Sequence, residues 1–290
     1  MGSKNRELLK YDPDFKKIFE EIASDSHTKV LKSVEVGILP LEIDIILEID
    51  KDSELKYLAP IRQIREKNHA QRFVIEYKGP TDTFSLGNVR KLIAYRQLYL
   101  IENDVNEERP TVHVVLSSRY PQKLLKTFHG KTHSEGVYSL FLDNQEIYII
   151  SINSLPVHEE NFGLLIFATK KEKTTKLVEI LFDESMIGEE NPKILHNKAF
   201  GERFLRYAIR WNYEIVVNVA RQRGINMSIV KENLKRGIED IGIAEMVDEI
   251  GLSNVVAAVG ISKIIEVMGV SKFVELLTED QKKELKELLK

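Results

Sequence analysis

Three strand-like runs follow one another with no long helical pattern between them, and that order limits the fold more than composition does. SVEVGIL (33–39) and LEIDIILEID (41–50) alternate with period 2, as strands that send successive side chains to opposite faces do, and predict a hairpin or meander. In the second run Ile43, Ile45, Leu47 and Ile49 are expected on one face, with Glu42, Asp44, Ile46 and Glu48 on the other. QRFVIEY (71–77) is the third run. After a GPTD turn, Leu86 to Ile101 carries Val89, Leu92, Ile93 and Leu100 at helical spacing, and TVHVVLSS (111–118) is a strongly apolar strand.

Upstream, DPDFKKIFEEIASDSHTKVL (12–31) reads as one helix, with Asp12 at the N-cap and Pro13 in the first helical position. Phe15, Ile18, Phe19 and Ile22 form its apolar stripe. The order is α-β-β-β-α-β, with the polar segment 51–70 expected to be an elaborated connection outside the core. PQKLLKTF (121–128) predicts a short helix, and GVYSLFLD with EIYIISI a terminal hairpin turning at Asn144-Gln145.

From about residue 157 the strand signals give way to amphipathic helices, so two regions are expected, 1–156 and 157–290. Near the end GLSNVVAAV, GISKIIEVM and GVSKFVELL begin at Gly251, Gly260 and Gly269, a 9-residue repeat over 251–277. Each unit offers a glycine, a serine expected at the N-cap and a short apolar stripe. A unit this short cannot bury its own apolar face, so packing on a neighbouring helix or a second copy of the chain is expected. A homo-oligomer through this helical region is one assembly that the pattern allows. The tail TEDQKKELKELLK is expected to be a helix capped by Thr278.

Composition narrows the classes. With 290 residues, 43% apolar and 30% charged, the chain has ample material for a core. Its longest apolar runs are far too short to span a bilayer, and MGSKNRELLKYDPD has no apolar leader, so a cytoplasmic protein with no membrane partner is expected. With no cysteine, disulfides, thiolate catalysis and thiolate metal sites are excluded. A net charge of −3 gives no chain-wide footprint for nucleic acid, although a count over the whole chain hides patches.

The chemistry-bearing residues concentrate at one place. In FVIEYKGPTD, Glu76 and Lys78 share a strand face at the end of a run of strand formers. If the preceding strand is adjacent, a register exists that sets Asp44 beside Glu76. Two carboxylates one ion's width apart repel unless a cation joins them, and hard oxygen ligands suit Mg²⁺ or Mn²⁺. Lys78 could orient a water, help lower its pKa or stabilise charge developing on a phosphate. The plainer alternative is an exposed cross-strand charge pair worth at most about 1 kcal/mol. Elsewhere, the seven histidines are scattered. Only His129 and His133 have i,i+4 spacing, in a glycine-containing, turn-like context that argues against a helical zinc pair. Arg119, Lys123, Lys126 and Lys131 form a modest basic stretch, and KKEKTTK (170–176) reads as a solvated helix start.

Pro40, Asp44 and Glu76-Tyr77-Lys78, in that segment order, resemble the PD-(D/E)xK signature of the restriction-endonuclease-like fold. YDPDFKKIFE, LPLEIDIILE, IEYKGPTDTF and the period-9 tail resemble the recombination-promoting nuclease and putative transposase group within it. The resemblance covers about residues 11–120 and the tail. It implies an αβββαβ core with a mixed central sheet flanked by helices, followed by a mostly helical region, and a Mg²⁺-dependent endonuclease acting on DNA, with Mn²⁺ as a substitute. It implies Asp44 and Glu76 as metal ligands, Lys78 near the attacking water, Glu21 or Glu20 of the first helix as a further ligand, and Gln97 in the site, with Tyr95 and Arg96 nearby. Three residues separate Pro40 from Asp44, leaving Glu42 as the alternative acid. A nuclease fold that binds DNA or a protein without cutting, or a protein whose helical tail drives assembly, are the rival readings.

Overall fold

The structure, a computed structural model, describes residues 11–24, 28–36, 41–50, 52–82, 85–102, 110–186, 195–241, 243–277, 279 and 282. The chain divides into two compact units, Met1–Lys173 and Thr174–Lys290.

The first unit opens with α1 (Tyr11–Ser24), β1 (Thr28–Val36) and β2 (Leu41–Ile49). The helix expected to run to Leu31 therefore stops at Ser24. Ser24 is its last residue, and the β-branched Thr28 and Val30 lie in a strand instead. Pro13 falls in the first turn, where its missing N–H costs nothing, and Asp12 lies inside that turn rather than ahead of it. Next come α2 (Ala59–Asn68), β3 (Arg72–Lys78), α3 (Leu86–Glu102), β4 (Thr111–Ser117) and α4 (Gln122–Thr127). The hairpin strands β5 (Lys131–Ser134), β6 (Val137–Leu142) and β7 (Gln145–Ser151) and the short α5 (Phe162–Leu165) follow, then α6 (Lys171–Met186), which straddles the division.

Seven strands form one mixed sheet in the order β1-β2-β3-β4-β7-β6-β5. Antiparallel pairing joins β1 to β2 and β2 to β3, while β3, β4 and β7 run parallel. The link between β3 and β4 passes through α3, the kind of long crossover that a parallel pair requires. This is an α/β fold. One face of the sheet is covered by α3 and α4 over Ile46, Val74, Val115, Ile147 and Ile149. On the other, Phe15 of α1 stacks on Tyr77 at 4.1 Å and meets Phe167 edge-on at 4.8 Å.

Segment 51–70 is not a solvated connection. Leu55, Tyr57, Leu58, Ile61 and Ile64 are all buried, and α2 starts with Pro60 in its first turn. The apolar residues at 55, 58, 61 and 64 recur every third position, a helical signal diluted by the charges between them. The terminal hairpin turns at Asp143-Asn144, one residue earlier than expected, with both residues at positive φ (50° and 61°) as a two-residue turn matched to strand twist demands. The short β5 was not anticipated.

In the second unit α7 (Leu195–Gln222), interrupted at Asn212, packs with α8 (Met227–Ile241). Four helices of seven or eight residues follow, α9 (Ile243–Ile250), α10 (Leu252–Val259), α11 (Ile261–Met268) and α12 (Val270–Leu276). Met246, Val255, Ile264 and Phe273, nine residues apart, are each buried, so α9 is a fourth repeat that the glycine-serine pattern hid. Packing on neighbouring helices is met within the unit, by α7 against α9 and α8 against α10. The residues before α10, α11 and α12 are Gly251, Gly260 and Gly269, at φ 88°, 83° and 78° with ψ near 150°, and no side chain caps these helices. Glycine rather than serine occupies the N-cap because that backbone conformation is open only to glycine. Of the tail helix expected to start at Thr278, only Glu279 and Lys282 are described, both helical.

Candidate functional site

The site sits where the β2–β3 ladder ends. Backbone pairing runs from Glu48 opposite Arg72 to Ile45 opposite Ile75, and continuing that register by one residue sets Asp44 opposite Glu76. The ladder does not continue in backbone. Instead the Tyr77 N–H donates to Asp44 Oδ2 at 2.8 Å, a side chain taking over where the main chain stops. On its other edge β3 remains paired with β4 as far as Lys78 opposite Ser117.

Asp44 also marks a fault in β2. Ile43 joins Ile46 in the core beneath α3, so the alternation expected from Glu42 to Ile49 breaks between them. Across the hairpin the Ser33–Asp44 pair is skipped, and Ser33 has φ 50°. Lys16 of α1, almost wholly buried, pins this fault. Its ammonium donates to Ser33 Oγ at 3.1 Å and lies 3.6 Å from Asp44 Oδ1. No sequence signal singled out Lys16, because its role appears only when α1 lies over the β1–β2 kink.

Glu76 and Lys78 share the face of β3 that carries Val74, the α3 side. Lys78 Nζ donates to Glu76 Oε1 at 2.6 Å, and each side chain is 15% exposed. Burial alone would lower the lysine pKa, but Glu76 above all, with Asp44 and Asp82, outweighs it and leaves the pKa above its ordinary 10.5. Lys78 is therefore an ammonium donor and not a base. The second carboxylate oxygen, Glu76 Oε2, is buried and has no hydrogen-bond partner among the described residues. An orphaned carboxylate oxygen is costly to keep dry, and a cation satisfies it. The GPTD turn after β3 closes on itself, with the Gly79 N–H donating to Asp82 Oδ2 at 2.7 Å.

The other expected residues separate. Gln97 is exposed on α3 and makes no described hydrogen bond to Asp44, Glu76 or Lys78, whereas Tyr95 is buried in the core beneath that helix. Arg96 is half-buried and its charge acts on His113. Glu20 pairs with Lys32 of β1, and Glu21 is half-buried on α1. Pro40 and the Glu42 side chain lie outside the described residues. Among the described residues, no three His, Asp or Glu side chains converge on one point. A Mg²⁺ ion held by two carboxylates, completing its shell with water and phosphate oxygens, does not need a third.

A second polar cluster was not foreseen. Lys67 and Asn68 at the end of α2 donate to Tyr148 OH at 2.7 and 3.0 Å, and Tyr148 OH donates to Glu146 Oε2 at 2.9 Å. Ser139 Oγ donates to Glu146 Oε1 at 2.8 Å and lies 2.7 Å from His133 Nε2. Because the single hydroxyl proton of Ser139 goes to Glu146, the histidine must donate to the serine, the reverse of a nucleophile–base pair. Ser139 is also buried, so this cluster ties α2 to the sheet. His129, exposed beyond the end of α4 with φ 47°, and His133 on β5 share no helix.

Compared with family models, with curated proteins and with solved structures, the chain matches none.

Proposed function

We propose that the chain is a metal-dependent endonuclease of the PD-(D/E)xK type, hydrolysing phosphodiester bonds of DNA at Asp44, Glu76 and Lys78. The observation that carries this reading is the orphaned Glu76 Oε2, a hard oxygen donor with one valence unsatisfied, on a residue that the β2–β3 register extended by one step sets opposite Asp44. The element order α1-β1-β2-β3-α3-β4, with α2 inserted before β3, supports a restriction-endonuclease-like core. Asp44 and Glu76 would hold Mg²⁺ or Mn²⁺, and such an ion supplies Lewis-acid polarisation of a phosphoryl oxygen. In the hydrolysis, a water oxygen bonds to phosphorus as the P–O bond to one sugar breaks, and the departing oxygen gains a proton. Lys78, fixed as an ammonium, stabilises the charge that grows on the phosphoryl oxygens.

A nicking assay on supercoiled DNA with Mg²⁺ or Mn²⁺ tests the reading. Glu76→Gln and Lys78→Met are each expected to lower the rate by at least about 100-fold, and cutting that survives both substitutions would falsify it. The rival binding-module reading has one observation in its favour. Lys16 and Lys78 already set two ammonium charges against the two carboxylates. Calorimetric titration with Mn²⁺ separates the two, since the nuclease takes up the ion through Glu76 and the binding module does not.

A further inference from the structure

We propose that Tyr120, with Arg119, Lys123 and Lys170 around it, is a base-stacking platform that seats one unpaired nucleotide of single-stranded DNA beside the Asp44–Glu76–Lys78 cluster. This deepens, and rests on, the nuclease reading above.

The parallel strands β3, β4 and β7 all end at the same edge of the sheet, the place where open α/β sheets receive ligands. The chain leaving β4 is locked to the end of β3, for Ser118 N–H donates to the Lys78 carbonyl at 3.1 Å. Tyr120 is two residues further, within about 8 Å along the chain. Its ring is 51% exposed, unusual for so large a side chain in this protein. It is not loose, because Tyr138 of β6 braces it edge-on at 5.2 Å. Tyr138 itself packs against the core under α3, the face that bears Glu76 and Lys78. The stacking surface and Glu76 therefore address the same side of the sheet edge.

The segment that carries Tyr120 is basic, with Glu135 beyond its end the acid that acts on Tyr138. Residues 110–134 contain Arg119, Lys123, Lys126 and Lys131 and no Asp or Glu, in a chain whose net charge is −3. Arg119, Lys123 and Lys126 are exposed. A distant segment is drawn to the same point by the buried Asn153. Its Nδ2 donates to the Ser118 carbonyl at 2.6 Å and to Thr169 Oγ1 at 2.7 Å, while its Oδ1 accepts from the Thr169 and Lys170 N–H groups at 2.9 and 3.0 Å. A single amide thus joins the backbone beside Arg119 to that of Lys170, and Lys170 and Lys171 are both exposed there. An exposed, braced aromatic ring among cations fits unpaired bases stacked on the ring, with their phosphates on the lysines and arginine. A duplex keeps its bases stacked on each other and offers the ring nothing.

The test is fluorescence anisotropy of the full-length protein with a labelled short oligothymidylate and with a duplex of equal length, in EDTA so that no cutting intervenes. Tyr120→Ala is expected to weaken single-strand binding at least about fivefold, with little change for the duplex, and Tyr120→Trp to retain it. Arg119→Ala should reduce the slope of log affinity against log salt by about 0.7. Tyr120→Ala binding the single strand as tightly as the parent, or a parent that binds no single strand in low salt, overturns the platform. If binding depends on Tyr120 in a protein that never cuts DNA, the platform stands and the catalytic reading fails. If the protein cuts and Tyr120→Ala binds normally, the reverse holds.

Discussion

His113 gives the structure a measurable sensitivity to acid. It lies on β4 between Val74 of β3 and Ile147 of β7, is 3% exposed, and has its Nε2 buried without a described partner. Burial, and then the nearby Arg96 charge, push its pKa from 6.5 to about 3. The imidazole therefore stays neutral in the folded chain while the unfolded chain binds a proton below pH 6.5. Between those values the unfolded state holds more protons, so stability is fully present above about pH 6.5 and falls as pH drops toward 3. At 1.36 kcal/mol per unit, 1.5 units below the unfolded value, the loss from this one residue at pH 5 is about 2 kcal/mol. Urea denaturation of the parent and of His113→Phe at pH 7 and pH 5 isolates it. Every other titrating group is common to both proteins and cancels. The difference between the two pH values should be smaller by about 2 kcal/mol in the variant. Equal pH dependence in the two proteins would refute the burial argument, as would a His113 imidazole resonance, assigned by its absence from His113→Phe, that titrates near 6.5 in the folded parent.

Lys16→Met leaves the Asp44 carboxylate without its buried ammonium, and chemical denaturation should show a loss of about 2–4 kcal/mol. Adding Asp44→Asn should recover at least half of it, because the amide oxygen still accepts from Tyr77 N–H, and a double variant no better than the single would count against the pairing. Two glycine substitutions should destabilise for different reasons. In Gly163→Ala the new Cβ meets Tyr57 O at 2.8 Å and Ile22 Cγ2 at 2.9 Å, a clash costing about 1–3 kcal/mol. In Gly260→Ala nothing lies within 4 Å, and a loss of about 1–3 kcal/mol comes from backbone strain at φ 83° alone. Thermal melts in which either variant matches the parent would remove the corresponding argument.

What was legible in the sequence was whatever depends on local period and local order. The strands at 41–49, 72–78 and 111–117 and the helix at 86–102 stand where alternation and helical spacing put them. Glu76 and Lys78 share a face because i and i+2 on a strand always do. What stayed hidden depends on partners distant in sequence. Gln97 looked like a site residue by its place on the following helix, yet the rotation of that helix is set by Val89, Leu92, Tyr95 and Tyr99 turning inward, which leaves position 97 outside. The helix in 51–70 was missed because charges interrupt its stripe, and the Asn153 junction joins segments whose meeting no spacing encodes.

The fault at Ser33 sets how Asp44 is turned relative to Glu76. In an unbroken hairpin, strict alternation would set Asp44 on the face of Ile46 and Val74, the one that carries Glu76. The structure departs from that at one point. Ser33 takes a left-handed backbone, the pair with Asp44 is skipped, and Ile43 moves into the core under α3. A non-glycine residue held at φ 50° is disfavoured, and Lys16 is the group bonded to it there. The ammonium that neutralises Asp44 is thus also bonded to the residue that carries the distortion, so Lys16 both competes with an ion for Asp44 and holds the kink. Lys16→Met separates these roles. If the kink holds without the ammonium, the variant should bind Mn²⁺ more tightly than the parent despite its lower stability. Mn²⁺ binding no tighter than the parent's would show that Lys16 does not compete with an ion for Asp44.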